Sequence, residues 1–531
     1  MAVLGIDLGT TNSVVASVRG GEVGIVPDRQ GRRVHPSVVA LLPDGSKQFS
    51  HEAVARRIVD SRFTVFSAKR LMGQTFGSKE TKQVAARIPY KVQQGNNDQV
   101  VVVGPDRTYT IPEVSGMLLS YLRQCAQLQL EENITGAVIT VPANFNNAQR
   151  QATMDAGRIA GMNVLRVINE PTAAALAYGL GREVSQRIVV YDFGGGTFDV
   201  TVLQVDGDVF EVLASGGDSF LGGDDVDEAV MKLLAEQFTA QHGFDPLTDA
   251  ATRARLLMAG EQIKRHLSRG TEAKGELKVV DDASGAPLTL AFHITTAAFE
   301  TAIAPIVART IAACDEVLSA AKVARTQIDE VILVGGSTRL PLVRREVERQ
   351  FGRAPRTDIN PDEVVAFGAA LQAANLAGES GLAQRPVLLD VTARALGIAV
   401  AGGFAEPIVE RNVPLPVEQT RVFTTSSDGQ TKVIIQVCQG ESRRFEENAP
   451  LGELTLEGLP PAPRGDVKIE VTFKVDTNGI LRVRAKDPKT DLTTEAAVNV
   501  VGTMSELEVE EAVAERIEPP LPTAAPADPA A

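Results

Sequence analysis

The stretches VLGIDLGTTNSVVA at residues 3–16 and IVVYDFGGGTFDVTVL at residues 188–203 share one construction. Each is an apolar, largely β-branched run that breaks at an aspartate followed by glycines and threonines, then resumes as a second apolar run. That pattern predicts a β-hairpin with an acid at its tip. Glycine there lets backbone N–H groups approach a polyphosphate closely, threonine hydroxyls add donors, and Asp7 and Asp192 are placed to hold a magnesium ion through water. One such hairpin is weak evidence, whereas a facing pair describes a nucleotide clamp.

The 531 residues allow three or four domains, and 44% apolar residues supply ordinary cores. A formal charge of −14 and a pI near 5.1 argue against a nucleic-acid partner, which needs a basic face. The N-terminus MAVLGIDLG enters its first strand without a signal core, and no run reads as long enough to span a membrane. Cys125, Cys314 and Cys438 are far apart and read as reduced core thiols, which suits the cytoplasm. From 1 to about 380, strand runs such as AVITV and VILV alternate with amphipathic helices such as GMLLSYLRQCAQLQL, an α/β pattern duplicated around the two hairpins.

Around 376–390 a small, polar stretch gives way to the apolar burst PVLLD. From 391 to about 502 helical periodicity stops and strands with turn signals follow. In IEVTFKVDTNGILRVRAK, Ile469, Val471, Phe473 and Val475 alternate with polar residues, and Asn478-Gly479 supplies a tight turn before Leu481 and Val483. Ser505 and Glu508 form a capping box that opens one short helix of about three turns, and a Pro/Ala tail ends the chain. The expected division is therefore 1–382 duplicated α/β, 383–390 linker, 391–502 all-β, and 503–531 helix and tail.

GIDLGTTNS, AKRLMG, AVITVPANFNNAQRQAT, RVINEPTAAALAYG, YDFGGGTFDV, GGDDVD, GEQIKRHLS, VILVGGSTRLP and NPDEVVAFGAA, in this order, resemble the 70-kilodalton heat-shock protein family of chaperones, of the bacterial DnaK type, from residue 1 to about 505. The resemblance implies an actin-like ATPase domain followed by a β-sandwich that binds extended apolar peptides, with ATP/ADP, magnesium and potassium as cofactors. It implies that Asp7, Gly9, Thr10, Thr11 and Asn12 form one phosphate loop and Asp192, Gly194, Gly195, Gly196 and Thr197 the other. Lys69, in the exposed-looking FSAKRLMG, would stabilise charge on the γ-phosphate, and Glu170 and Asp199 would orient the attacking water and the hydrated magnesium. On the residues alone, Lys69 reads equally as a surface lysine and Glu170 as a helix-start carboxylate.

The resemblance puts the adenosine against Glu261, Lys264, Arg265 and Ser268, facing Gly335, Gly336, Ser337 and Arg339 with Asp362 nearby. The spacing of the first four, i, i+3, i+4, i+7, also fits an ordinary charged helix face. Pro142 and Arg150 match positions that relay nucleotide state, and Leu388, Leu389 and Asp390 match the interdomain linker, though PVLLD also reads as a first β-domain strand. Ile398, Ala401, Phe423, Ser426, Val433 and Ile435 match the peptide groove. Val433 and Ile435 share a strand face, which suits a pocket, although on the residues alone ordinary sandwich core is the preferred reading.

The chain departs from the family pattern where bulkier arch residues are usual and Ala401 and Ser426 stand, and where Arg394 replaces an apolar residue. The family's long helical lid is not read after Ser505, so fast peptide exchange is expected. The hairpin at 270–295 resembles the exchange-factor contact, so the implied partners are unfolded peptides, a J-domain cochaperone and a GrpE-like exchange factor. Alternatives are a weakly cycling holdase and an actin-fold sugar kinase.

Overall fold

The computed structural model describes residues 2–179, 185–281, 287–378, 385–497 and 501–516. The expected linker start at 383–384, the tip of the 270–295 hairpin at 282–286 and the tail from 517 lie outside these. Two five-strand paths repeat one plan. In the first, Ala2–Leu8 pairs antiparallel with Asn12–Arg19 and parallel with Ile134–Val141, extended by Asn163–Asn169 and Glu22–Ile25. In the second, Ser185–Phe193 pairs antiparallel with Phe198–Asp206 and parallel with Glu330–Val334, extended by Val209–Asp218 and Val387–Leu389. Both quoted stretches are thus hairpins, each lying beside a parallel strand. The apolar runs are buried along nearly their whole length because helices cover these sheets.

The alanine-rich helices Glu170–Gly179 and Val364–Ala377 pack against each other and join the two halves. Small residues let their backbones approach: a Cβ on Gly368 would lie 1.7 Å from the Ala173 carbonyl oxygen, and one on Gly5 would lie 2.0 Å from Ala370 N. One reading from the sequence is corrected. Thr296–Ala321 is 26 residues long with a window of mean hydropathy 1.4, long and apolar enough to cross a membrane. Here Phe299, Ile303, Val307, Cys314 and Val317 form a buried stripe packed toward the second sheet, a core-helix pattern.

The C-terminal domain is a sandwich of two four-stranded sheets. One runs Phe404–Val409, Leu396–Val400, Lys432–Gln439, Ala449–Glu457, the other Val417–Thr424, Lys468–Val475, Leu481–Lys486, Thr493–Ala497. Ile469, Val471, Phe473 and Val475 fill its core with Ile435, Leu454 and Val483. Asn478-Gly479 lies inside a loop of residues 476–480 rather than forming a two-residue turn, because Val475 pairs with Leu481 and Asp476 Oδ1 accepts from the N–H groups of Asn478 and Ile480. Ser505 caps the helix Glu506–Ala514 as its sequence requires. That helix packs on Asn147–Ile159 of the first domain, burying Val509 and Ala512 against Ile159.

We predict that Gly368→Ala, which forces a methyl group into the Ala173 carbonyl, destabilises the first domain by about 1–3 kcal/mol; a lowered denaturant midpoint checks this.

Candidate active site and interdomain seam

The two hairpin tips face each other. A Cβ on Gly195 would stand 1.9 Å from Thr11 Oγ1, and one on Gly196 would stand 2.5 Å from Thr10 Cγ2. Gly9 is tight for its own reason: its Cβ would meet the Asn12 carbonyl oxygen at 2.1 Å. The second tip is closed by Gly194 N–H donating to Thr197 O. The Thr11 hydroxyl is buried without a hydrogen-bond partner among the described residues, as expected of a donor kept for an anion.

Behind the tips lie Asp7, Glu170, Asp192 and Asp199. Asp192 and Asp199 are register partners across the second hairpin, Thr140 Oγ1 donates to Asp7 at 3.1 Å, and Asn144 N–H donates to Asp199 at 3.3 Å. Lys69 is the correction here: FSAKRLMG looks exposed, yet the lysine is buried, with Nζ 2.5 Å from Glu170 Oε1 and over the Phe145 ring. Ser67, in the left-handed region at φ 54°, turns the chain inward just before the short helix Ala68–Leu71 that carries it.

Burial and the Glu170 charge push the Asp7 carboxyl up to about 7 and that of Asp199 to about 8, and raise Asp192 strongly, each against the pull of Lys69. So concentrated an acidic group calls for a cation. Among the described residues no group of three or more His, Cys, Asp or Glu side chains is arranged to hold a metal ion; a magnesium ion beside these acids would meet them through its waters.

A cavity of about 1060 Å³ opens in front of the tips, lined by Thr10, Thr11, Asn12 and Gly195 at one side and by Glu261, Lys264, Arg265, Ser268, Gly336, Ser337, Arg339 and Asp362 at the other. Helix Ala250–Leu267 brings three of these together, with Ser268 at its C-cap. Arg265 pairs with Glu261 at 2.7 Å, Arg339 with Asp362 at 2.6 Å, and Ser337 Oγ donates to Gly194 O at 2.9 Å. Gly335, at φ 82°, passes so close to Phe193 that a Cβ would lie 2.5 Å from its carbonyl oxygen. Asp227 escaped the sequence reading. It is buried and paired with Lys264 at 2.9 Å, and GGDDVD gave no sign that its last acid points inward.

The seam to the β-sandwich is polar and buried. Arg150 donates from Nε to Phe145 O at 3.1 Å, from Nη2 to Asn169 Oδ1 at 2.6 Å and to Ala143 O at 3.4 Å, and from Nη1 across the seam to Asn478 O at 3.4 Å. Asn169 Nδ2 in turn donates to Asp390 Oδ2 at 2.8 Å, and burial raises the Asp390 carboxyl against the pull of Arg150. Pro142 is buried at the start of the loop that leads to Arg150. Val387–Leu389 adds as a parallel strand beside Val209–Asp218, with Leu388 opposite Phe210, so PVLLD belongs to the first domain's sheet. Arg394 is exposed beside this seam. Asn147 was not singled out from the sequence: its N–H donates to Gln439 and its Oδ1 accepts from Leu481 N–H.

Of the groove residues, Ile398 and Ile435 are buried in the sandwich core, Phe423 and Val433 are half-buried, and Ala401 and Ser426 are exposed. The Gln430 side-chain oxygen accepts from Ser426 N–H.

The family model for the Hsp70 protein matches residues 3–520. Over 514 residues, 96% of this chain and 83% of its relative, the sequence is 45% identical to the chaperone protein DnaK of Thermus thermophilus.

The raised acids carry a pH signature. Asp199 moves from an ordinary 3.8 to about 8 on folding. Its stabilising contribution is therefore complete below about pH 4 and is lost as pH rises toward 8. In nucleotide-free protein, Asp199→Asn should unfold at a temperature that gains on the wild type steadily between these values, checked by thermal melts across that range.

Proposed function

The chain belongs to the Hsp70 family and is an ATPase and ATP-dependent chaperone, and from that premise we propose that hydrolysis at the buried acids is coupled to peptide binding through the strand Val387–Leu389 and the Arg150 seam. The observation that carries this reading is the pairing of that strand with the ATPase sheet, Leu388 opposite Phe210, which places Asp390 against Asn169. In this scheme residues 1–382 form the motor, 383–390 the linker, 391–502 the peptide-binding sandwich and 503–531 the helix and tail.

Bound magnesium and nucleotide supply the phosphoryl group and the charge that offsets the acids. Asp7 and Asp192 would hold the hydrated metal. Lys69, fixed by Glu170, presents its ammonium to the phosphates emerging from the two tips, and Glu170 and Asp199 orient the attacking water. Positioning and electrostatic stabilisation are what phosphoryl transfer asks of a protein. Glu261, Lys264, Arg265, Ser268, Gly335, Gly336, Ser337, Arg339 and Asp362 hold the adenosine side. Potassium beside the magnesium rests on the family resemblance, as does a cytoplasmic place of work.

A physical route joins the two ends. Asp199 accepts from Asn144 in the loop that begins at Pro142, and that loop leads into the helix carrying Asn147 and Arg150. Asn147 meets Gln439, the last residue of the strand that bears Val433 and Ile435. A shift in the loop is therefore felt at the floor of the groove formed by Ile398, Ala401, Phe423, Ser426, Val433 and Ile435. Extended apolar segments of unfolded proteins enter it by backbone hydrogen bonding with one side chain in the pocket. The small Ala401 and Ser426 give a weak arch, and the helix Glu506–Ala514 rests on the ATPase domain, which together favour rapid peptide exchange in this docked arrangement. A J-domain cochaperone and a GrpE-like exchange factor are the proposed partners.

Leu388→Asp puts a carboxylate into a packed strand site, where an unpaired charge is costly. It should abolish stimulation of hydrolysis by an apolar peptide while leaving nucleotide affinity within about twofold. Intact stimulation in that variant, read as ATPase rate against peptide concentration, would contradict the coupling.

A further inference from the structure

We propose that Arg70 contacts the terminal phosphate of a nucleoside triphosphate and so sets the preference for ATP over ADP. The inference rests on the ATPase reading above and adds to it a residue that no family motif assigned. Arg70 directly follows Lys69 in the short helix Ala68–Leu71, and its side chain is only 4% exposed. A guanidinium buried this deeply needs partners for its planar fork of donors.

Those partners are incomplete. Nη2 lies 3.3 Å from Asp224 Oδ2 and 3.7 Å from Asp225 Oδ2. Neither contact has hydrogen-bond geometry, and both Nε and Nη2 are without a hydrogen-bond partner among the described residues. Thr11 Oγ1, on the first hairpin tip, is buried and unpartnered too, and both residues line the nucleotide cavity together with Gly195. Asp224 N–H donates to Gly195 O at 2.8 Å, which puts the acid that holds Arg70 at the second hairpin tip. Orphan donors from two elements of the first half thus converge beside a glycine of the second, at the phosphate end of the cavity and next in sequence to the lysine of the acidic cluster. An oxyanion with several oxygens satisfies such a set, and an arginine fork binds it more strongly than a neutral donor does. Asp224 and Asp225 hold the side chain ready, and a third phosphate competes with them for it.

Equilibrium binding of ADP and of the non-hydrolysable triphosphate AMP-PNP, both with magnesium, tests this in the full chain. Arg70→Gln should lower the affinity for AMP-PNP relative to ADP on the order of tenfold, with Arg70→Lys intermediate. Asp224→Asn, which removes the nearer acidic partner and leaves Arg70 and Asp225 in place, should leave the ratio within about twofold. ADP binding by Arg70→Gln reports that the variant is folded; where it does not bind ADP, the ratio in Arg70→Lys decides. An unchanged ratio in the deciding variant, or the same parallel loss for both nucleotides in the Arg70 and Asp224 variants, overturns the proposal and leaves Arg70 as a cleft-closing ion pair. Wild-type protein that binds neither nucleotide would count against the ATPase reading instead.

Discussion

Asp7, Glu170, Asp192 and Asp199 bring more negative charge into the interior than Lys69 balances, and that imbalance governs the structure. Buried carboxylates of like charge hold their protons or recruit a cation, and the raised carboxyls of Asp7, Asp192 and Asp199 express the first outcome. The fold supports the arrangement by repeating one hairpin plan twice. The tips oppose each other because the two halves are joined through the helices Glu170–Gly179 and Val364–Ala377, whose approach only glycine at 368 permits. Glu170 begins one of these helices, so the packing that joins the halves also places the acid that fixes Lys69.

The same loop that touches Asp199 continues into the seam with the β-sandwich. Arg150 is buried there, with acceptors contributed by its own loop, by Asn169 and by Asn478 of the other domain. Separating the domains removes the last of these. Leaving a buried donor without its acceptor costs about 1–3 kcal/mol, so the seam favours being either formed or fully solvated. In the coupling proposed above, this seam is the two-state element that the nucleotide site and the groove would both bias.

Much of this was legible in the residues themselves. The hairpins follow from apolar runs interrupted by Asp, Gly and Thr, and the alternation from Ile469 to Val475 marks the sandwich core. Lys69 was not legible as a buried group, since FSAKRLMG is locally polar and its burial depends on Glu170, far away in sequence. Asn478-Gly479 announced a turn but not that the turn would meet Arg150, because docking is decided by surfaces that no local pattern encodes. Period-two alternation put Val433 and Ile435 on one face yet could not separate groove from core, and the structure finds Ile435 buried in the core and Val433 half-buried. The helix Thr296–Ala321 shows the reverse difficulty: its length and apolarity satisfy a membrane criterion, while its buried stripe is set by the sheet it covers.

The claim that hydrolysis and peptide binding are one coupled process is tested most directly by the steady-state ATPase rate of the full chain with and without a saturating extended apolar peptide. The account predicts a clear rise in rate on adding peptide, because occupancy of the groove acts on Asp199 through Gln439, Asn147 and the Pro142 loop. A rate that stays unchanged while the same peptide demonstrably binds would contradict it.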